Sequence, residues 1–379
     1  MTKDEKLLTF AKEHIDSFTT MLEQLVRRES PSHEDKIKSD QCGEYIIQKF
    51  NELGFRTERI HQCYCGDHLY GEIGSGEESV LLLGHYDTVF PIGSIAKDMP
   101  FRMDAKKVYG PGVLDMKGGI AMAYLAVKAL QALSLLPGKK IGFFFSSDEE
   151  SGSIYSRDLI IEKAKKYKNV LVMEPGNSDE NSVKTARAAK GVYTITATGK
   201  AGHSGTNPQI STNPIVELSM QIERINKWNI DNEDITYTPI HFEGGEPGRS
   251  VIPENSSFTL DVRAKKDDLY SIADKRIQMI TPYLSEVSLK VEGGLDRPMM
   301  NADLRLFERA KHEGKNFGLD LEGIFVGGGS DGNFTSSAGV PTLDGLGMVG
   351  DFIHNVSEYA FLDAVPRRTA LVAKLMHIL

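Results

Sequence analysis

Three short runs of uninterrupted apolar residues, at 80–83, 141–145 and 170–173, constrain this 379-residue chain more than any other feature. A strand that is apolar at every position has to be covered on both faces, which points to a parallel sheet lying between helices. The stretches around the runs supply those helices. Leu7, Leu8, Ala11, Ile15, Phe18, Leu22, Leu25 and Val26 recur at helical spacing. Ile37, Ile46, Ile47 and Phe50 do so again after the break at Ser30-Pro31-Ser32, and 117–133 is a small-residue apolar helix. The alternation predicts an α/β fold with a mainly parallel sheet.

The pattern changes after residue 187. Strand signals at 191–198, 235–242, 257–262 and 286–292, with helices at 213–228 and 267–284, give the order β-α-β-β-α-β of a ferredoxin-like unit. Beyond Arg297-Pro298 the first pattern returns: a helix at 302–316, strands near 324–326 and 341–343, and a terminal helix from Val365. The predicted organisation is one catalytic α/β domain, residues 1–187 and 298–379, interrupted by an inserted lid domain at 188–297.

Composition narrows the function classes. With 40% hydrophobic residues the chain can build cores, so disorder is excluded, and a net charge of −9 argues against a nucleic-acid partner. No apolar stretch approaches the ~20 residues of a membrane span. The opening Met1-Thr2-Lys3-Asp4-Glu5-Lys6 is not read as a signal peptide. Three cysteines, Cys42, Cys63 and Cys65, fit a reducing, cytoplasmic setting better than a disulfide framework. His61, Cys63, Cys65 and His68 form a cluster of potential zinc ligands, but cysteines two residues apart are poorly spaced for chelation, and the segment reads as strand and turn.

Acidic and histidine residues gather where strands end or helices begin: His85-Tyr86-Asp87, Asp115 before a helix start, Asp148-Glu149-Glu150, Glu174-Pro175-Gly176, and the late segment from Gly350 through His354 to Glu358. In open α/β sheets ligands bind beyond the carboxyl ends of strands, so these segments are placed to converge. His85, Asp115, Glu150, Glu174 and His354 form a nitrogen–oxygen donor set suited to Zn²⁺ or a similar divalent ion. Three carboxylates and one shared hydroxide balance the charge of two divalent ions, as a two-metal hydrolytic site requires. Asp87, two residues beyond His85, is placed to orient its ring. Glu149, left over beside a ligand, suits a general base that passes the water's proton to the leaving nitrogen.

These segments resemble the di-zinc metallopeptidase and aminoacylase superfamily, which includes glutamate carboxypeptidase, aminoacylase and succinyl-diaminopimelate desuccinylase. The resemblance runs through Gly84-His-Tyr-Asp-Thr-Val-Phe-Pro91, Gly110-Pro-Gly-Val-Leu-Asp-Met-Lys-Gly-Gly119, Ser147-Asp-Glu-Glu-Ser-Gly152, Met173-Glu-Pro-Gly176, Gly199-Lys-Ala-Gly-His203 and Gly327-Gly-Gly-Ser-Asp331. With its ending Val365-Pro-Arg-Arg368, the chain looks most like the bacterial glutamate carboxypeptidase branch. The resemblance implies two Zn²⁺ per chain, or Co²⁺ or Mn²⁺ in their place. It implies that Asp115 bridges them, with Glu150 and His354 completing one site and His85 and Glu174 the other. It further implies a cis peptide after Asp115, and a lid that forms a homodimer and lends His203 to the partner's active site as an oxyanion donor. Arg297 is implied to hold a substrate carboxylate, and Arg263 is a second basic candidate. Glu at 174 resembles carboxypeptidases and deacylases rather than aminopeptidases, which have Asp there. Ser250 departs from the asparagine frequent in relatives.

The function these residues imply is hydrolysis of a C-terminal or N-acyl amino acid amide bond in a small peptide or N-acyl amino acid, through a metal-bridging hydroxide with Glu149 as base. The nearest alternative is an N-acyl-amino-acid deacylase or desuccinylase-like amidohydrolase. The alternative of another class is a non-catalytic metal-binding module. A nucleotide site at Gly327–Gly332 or Gly110–Gly112 lacks the Lys-Ser/Thr of a phosphate loop and the full dinucleotide fingerprint.

Overall fold

The computed structural model describes every residue except Pro137, Asn207 and Pro247. The chain forms two compact units: Met1–Ala186 with Met300–Val326 and Ser330–Leu379, and Arg187–Met299 with Gly327–Gly329.

The first unit is built on a six-stranded sheet in the order Arg56–Ile60, His68–Ile73, Lys140–Ser146, Ser79–His85, Asn169–Val172, Thr342–Leu343. The last four strands run parallel. The first two are antiparallel additions, so the mainly parallel sheet carries an antiparallel edge pair. The reason lies in Arg56–Ile60, a charged and exposed edge strand that forms a hairpin with its neighbour and carries no apolar run to announce itself. In the central strands alternate residues divide between two cores. Val80, Leu82, Ile141, Phe143, Phe145 and Leu171 join one, with residues of helices Ile15–Val26, Lys36–Glu52, Lys117–Ala132 and Val365–Ile378. Leu81, Leu83, Phe144, Val170 and Val172 join the other, with Ile160, Ala164 and Phe334. This two-sided burial is why those runs are apolar throughout.

The first helical stretch is broken at His14 into Lys3–Glu13 and Ile15–Val26. His14 leaves helical geometry at φ −110° and ψ 20°, stacks on Phe10 and places Nδ1 2.9 Å from the Phe10 carbonyl. Short strands at Arg102–Met103, Lys107–Tyr109, Gly350–Asp351 and Tyr359–Phe361 form a further sheet, each too short to show a period in sequence. Among the described residues, no helix is long and apolar enough to cross a membrane.

Helix Lys117–Ala132 lies very close to the central sheet. A β carbon at Gly119 would sit 2.0 Å from the Met173 carbonyl oxygen, a backbone atom that cannot swing aside. Gly119→Ala is therefore expected to lower stability by about 1–3 kcal/mol. A denaturation midpoint equal to the wild type would show that the helix can move away from residue 173.

The second unit runs strand, helix, strand, strand, helix, strand: Ala189–Thr198, Pro214–Asp231, Ile235–Gly244, Asn255–Ala264, Asp267–Gln278 and Ser288–Arg297. Its sheet is antiparallel throughout, in the order Ile235–Gly244, Asn255–Ala264, Ala189–Thr198, Ser288–Arg297. Burial alternates along Ala189–Thr198, and Tyr193, Ile195 and Ala197 pack with Leu260, Val262, Leu218, Ile225, Ala273 and Ile277. The second helix stops at Gln278 rather than near 284, because Pro282 disfavours helical geometry in the residue before it.

Candidate metal centre

Three of the acidic and histidine segments leave parallel strands at one edge of the sheet. His85 is the last residue of Ser79–His85 and pairs in register with Ser146, two residues before Asp148-Glu149-Glu150. Leu83 pairs with Val172, two residues before Glu174. Parallel pairing alone therefore brings His85, Glu150 and Glu174 to one rim. Asp115 and His354 arrive from loops. Asp115 precedes helix Lys117–Ala132 and is joined to Met116 by a cis peptide bond. His354 follows the short strand Gly350–Asp351 and has φ +61°, a left-handed conformation that costs a residue with a β carbon about 1–2 kcal/mol.

The side chains form two groups that share Asp115. Asp115 Oδ1 is 3.3 Å from His85 Nε2, and Glu174 Oε1 is 3.1 Å from the same nitrogen. Asp115 Oδ2 is 3.3 Å from His354 Nε2, which is 3.0 Å from Glu150 Oε2. Within each group, donor atoms lie within 4.8 Å of one another, close enough to hold a cation. The His85 side chain is 1% exposed and that of His354 48%, so one group is enclosed and the other open.

A surrounding layer fixes these side chains. Asp87, fully buried, has Oδ1 3.3 Å from His85 Nδ1 and accepts the N–H groups of Glu149 at 3.3 Å and Glu150 at 3.1 Å. The Ser32 hydroxyl donates to it at 2.7 Å. Asp87 thus positions both His85 and the turn carrying Glu149 and Glu150. Glu358 accepts the N–H groups of Leu114 at 2.9 Å and Asp115 at 3.4 Å. Arg368, fully buried, donates to the carbonyls of Gly347, Gly345, Glu180 and Ser182. The Gly347 N–H in turn donates to the Glu174 carbonyl at 2.8 Å. Sequence reasoning passed over Ser32 and gave Glu358 no role. Their signal was present only as Ser-Pro-Ser between helices and an acidic residue near His354.

The electrostatics call for positive charge here. Burial alone would lower the affinity of His85 for a proton, yet hydrogen bonds to Asp115, Asp87 and Glu174 hold its pKa well above the ordinary value. Hydrogen bonds to Asp115 and Glu150 raise His354 to about 10. Burial raises Glu150 to about 7, with the Asp115 charge adding to it. Asp115 is held below the usual carboxylate range: the two histidines outweigh the effect of its burial. Without ions the cluster can relieve its negative charge only by holding protons. Two imidazoles and three carboxylates, sharing one aspartate, are the donor chemistry that borderline divalent cations take, so the residues fit a pair of such ions.

The profile of peptidase family M20/M25/M40 matches residues 81–377. The chain belongs to that family. Carboxypeptidase G2 from Pseudomonas sp. (strain RS-16) is 30% identical over 99% of this chain and 92% of its own length. A succinyl-diaminopimelate desuccinylase from Afipia carboxidovorans is 27% identical over 84% of this chain and 90% of its own. The crystal structure of aminopeptidase PepT from Bacillus cereus superposes with a TM-score of 0.75 at 18% identity, covering 96% of this chain and 98% of that one, which shows a common fold. This M20 chain is a metal-dependent hydrolase of the peptidase and amidohydrolase kind.

The other residues singled out from sequence lie in the second unit of this M20 protein. His203 is exposed, and its Nδ1 accepts the N–H groups of Gly205 and Thr206, both at 3.1 Å. That places the neutral ring's proton on Nε2 and leaves it a donor. Arg297 is buried; a β carbon at Gly329 would meet its Cδ at 2.6 Å. Arg263 forks onto Asp261, at 2.9 and 3.1 Å, and donates to the Gly327 carbonyl at 2.5 Å. Arg187, not picked out from sequence, donates to the carbonyls of Gly328 and Gly329 at 3.0 and 2.9 Å. Three arginines thus gather at the Gly327–Gly329 turn. Ser250 is exposed and accepts the Ser204 N–H through its carbonyl at 3.0 Å.

Proposed function

We propose that this metallopeptidase releases a C-terminal or N-acylated amino acid from a small peptide or N-acyl amino acid, at a pair of zinc-class ions. The observation that supports this most directly is Asp115, whose two oxygens face histidines of two separate ligand groups, at 3.3 Å each. In this reading His85 and Glu174 hold one ion, Glu150 and His354 the other, and Asp115 both. When bound, such ions supply Lewis acidity, activating water at neutral pH and polarising the scissile carbonyl. Asp87 keeps His85 in the tautomer that ligates through Nε2. Glu149 takes the proton of the attacking water and delivers it to the departing nitrogen. The N–H at Nε2 of His203 donates to the carbonyl oxygen as it gains charge. Arg297, with Arg263, recognises a substrate carboxylate, for which a guanidinium fork is the matching shape.

The second unit serves in this reading as a ferredoxin-like lid, residues 188–297, through which two chains pair so that His203 acts on the partner's substrate. Three free cysteines support a reducing, cytoplasmic setting. A desuccinylase-like deacylation is the second reading, supported by the desuccinylase relative at 27% identity. One panel of dipeptides, N-acyl amino acids and C-terminally amidated peptides separates the outcomes. The expected result is release of a free amino acid from substrates bearing a terminal carboxylate, abolished by a chelator and restored by Zn²⁺, Co²⁺ or Mn²⁺. Preferential trimming of the amidated peptides from their amino end would refute it, as would turnover indifferent to the chelator.

A further inference from the structure

The segment 61–68 carries four potential ligands that the two-ion centre does not use. The fold separates them. His61 is exposed and faces Asp67, with Nδ1 3.2 Å from Oδ1, and Cys63 is exposed as well. Cys65 and His68 are instead buried beside Asp148, and donor atoms of these three residues all lie within 4.8 Å of one another. Each of the three is 1% exposed or less.

Two polar atoms of these residues, His68 Nε2 and Asp148 Oδ1, are buried without a hydrogen-bond partner. A buried polar atom left unpaired costs about 1–3 kcal/mol, so two such atoms next to a thiol need a physical reason. The remaining polar atoms are engaged. Asp148 Oδ2 accepts the Tyr155 N–H at 2.7 Å. The Ser147 hydroxyl donates its one proton to the Gly66 carbonyl and lies 3.1 Å from His68 Nδ1. The Ser147 N–H is directed at the same nitrogen, at 3.3 Å, so without metal Nδ1 accepts and Nε2 carries the ring proton. Binding through Nε2 shifts that proton to Nδ1, where the Ser147 hydroxyl, its own proton committed to Gly66, accepts it.

We propose that Cys65, His68 and Asp148 form a third metal site, separate from the two-ion centre, that takes one zinc-class ion. The cysteine thiol gives its proton to solvent as the sulfur–metal bond forms. Thiolate, carboxylate and neutral imidazole then balance a divalent charge, so the buried cluster is neutral. Sulfur in the donor set selects against magnesium and calcium, and a water fills the fourth tetrahedral position. The ion ties the 61–68 loop to the turn that begins at Asp148 and carries Glu149 and Glu150. Its role is to brace that turn.

The two sites differ in one measurable respect: only this one contains sulfur. The full-length chain, stripped with chelator and saturated with Co²⁺, is expected to bind three equivalents and to show a near-ultraviolet thiolate-to-cobalt charge-transfer band. Cys65→Ala removes the band and one equivalent. Cys63→Ser keeps both, and His85→Ala keeps the band while losing metal from the two-ion centre. A cobalt-saturated wild-type protein without the band, or a band that survives Cys65→Ala, would overturn the site; the wild-type spectrum depends on no variant folding. Failure of the two-ion reading would instead show as missing equivalents with the band intact.

Discussion

Replacing Glu149 with glutamine is expected to lower kcat by about 10² or more while both ions of the two-ion centre stay bound. The expectation follows from its place in the chain. Glu149 stands between Asp148, which is turned into the interior, and Glu150, whose carboxylate lies 3.0 Å from His354. Its N–H is directed at Asp87, which fixes the backbone from which its side chain projects. Glutamine keeps the size and the main-chain contact but cannot take a proton, so KM should change little. The checking measurement is steady-state kinetics with metal content on the same preparation. Loss of metal would make Glu149 a ligand, and an unchanged kcat would assign the proton transfer to another group.

Asp115→Ala is expected to abolish activity and remove both ions, whereas His354→Ala removes one. Of the three groups of potential ligands among the described residues, two share a residue, and that residue is Asp115. Without it, His85 keeps only Glu174 and His354 only Glu150 as near carboxylates in those groups. Elemental analysis after desalting checks this directly. An Asp115→Ala protein that retained an ion beyond the one assigned to Cys65, His68 and Asp148 would mean that one group is complete without the shared aspartate. Glu358→Gln probes the support beneath: it weakens the grip on the Leu114 and Asp115 N–H groups and should cost about 10–100-fold in metal affinity or activity.

What could be read in advance followed the physics of each pattern. The apolar runs at 80–83, 141–145 and 170–173 were legible because burial on both faces leaves no polar position in them. The edge strand Arg56–Ile60 was not, since an exposed, charged strand has no such signature; it and its neighbour add an antiparallel edge to the mainly parallel sheet. At the centre, His85, Glu150 and Glu174 could be placed together because parallel strands end on one side. Ser32 and Glu358 act through contacts to Asp87 and to the residue 114–115 backbone, from 55 and more than 240 positions away, which no local pattern encodes.

By itself the amino-acid sequence determined the donor types, the strands that carry most of them and the family of the chain. Only the tertiary structure decided that Ser32 and Glu358 would hold Asp87 and the 114–115 backbone, and that Cys65 and His68 would meet Asp148 rather than His61 and Cys63. Periodicity reports which face of an element is buried. The direction of a side chain in a loop is set by whatever packs against it from elsewhere in the chain.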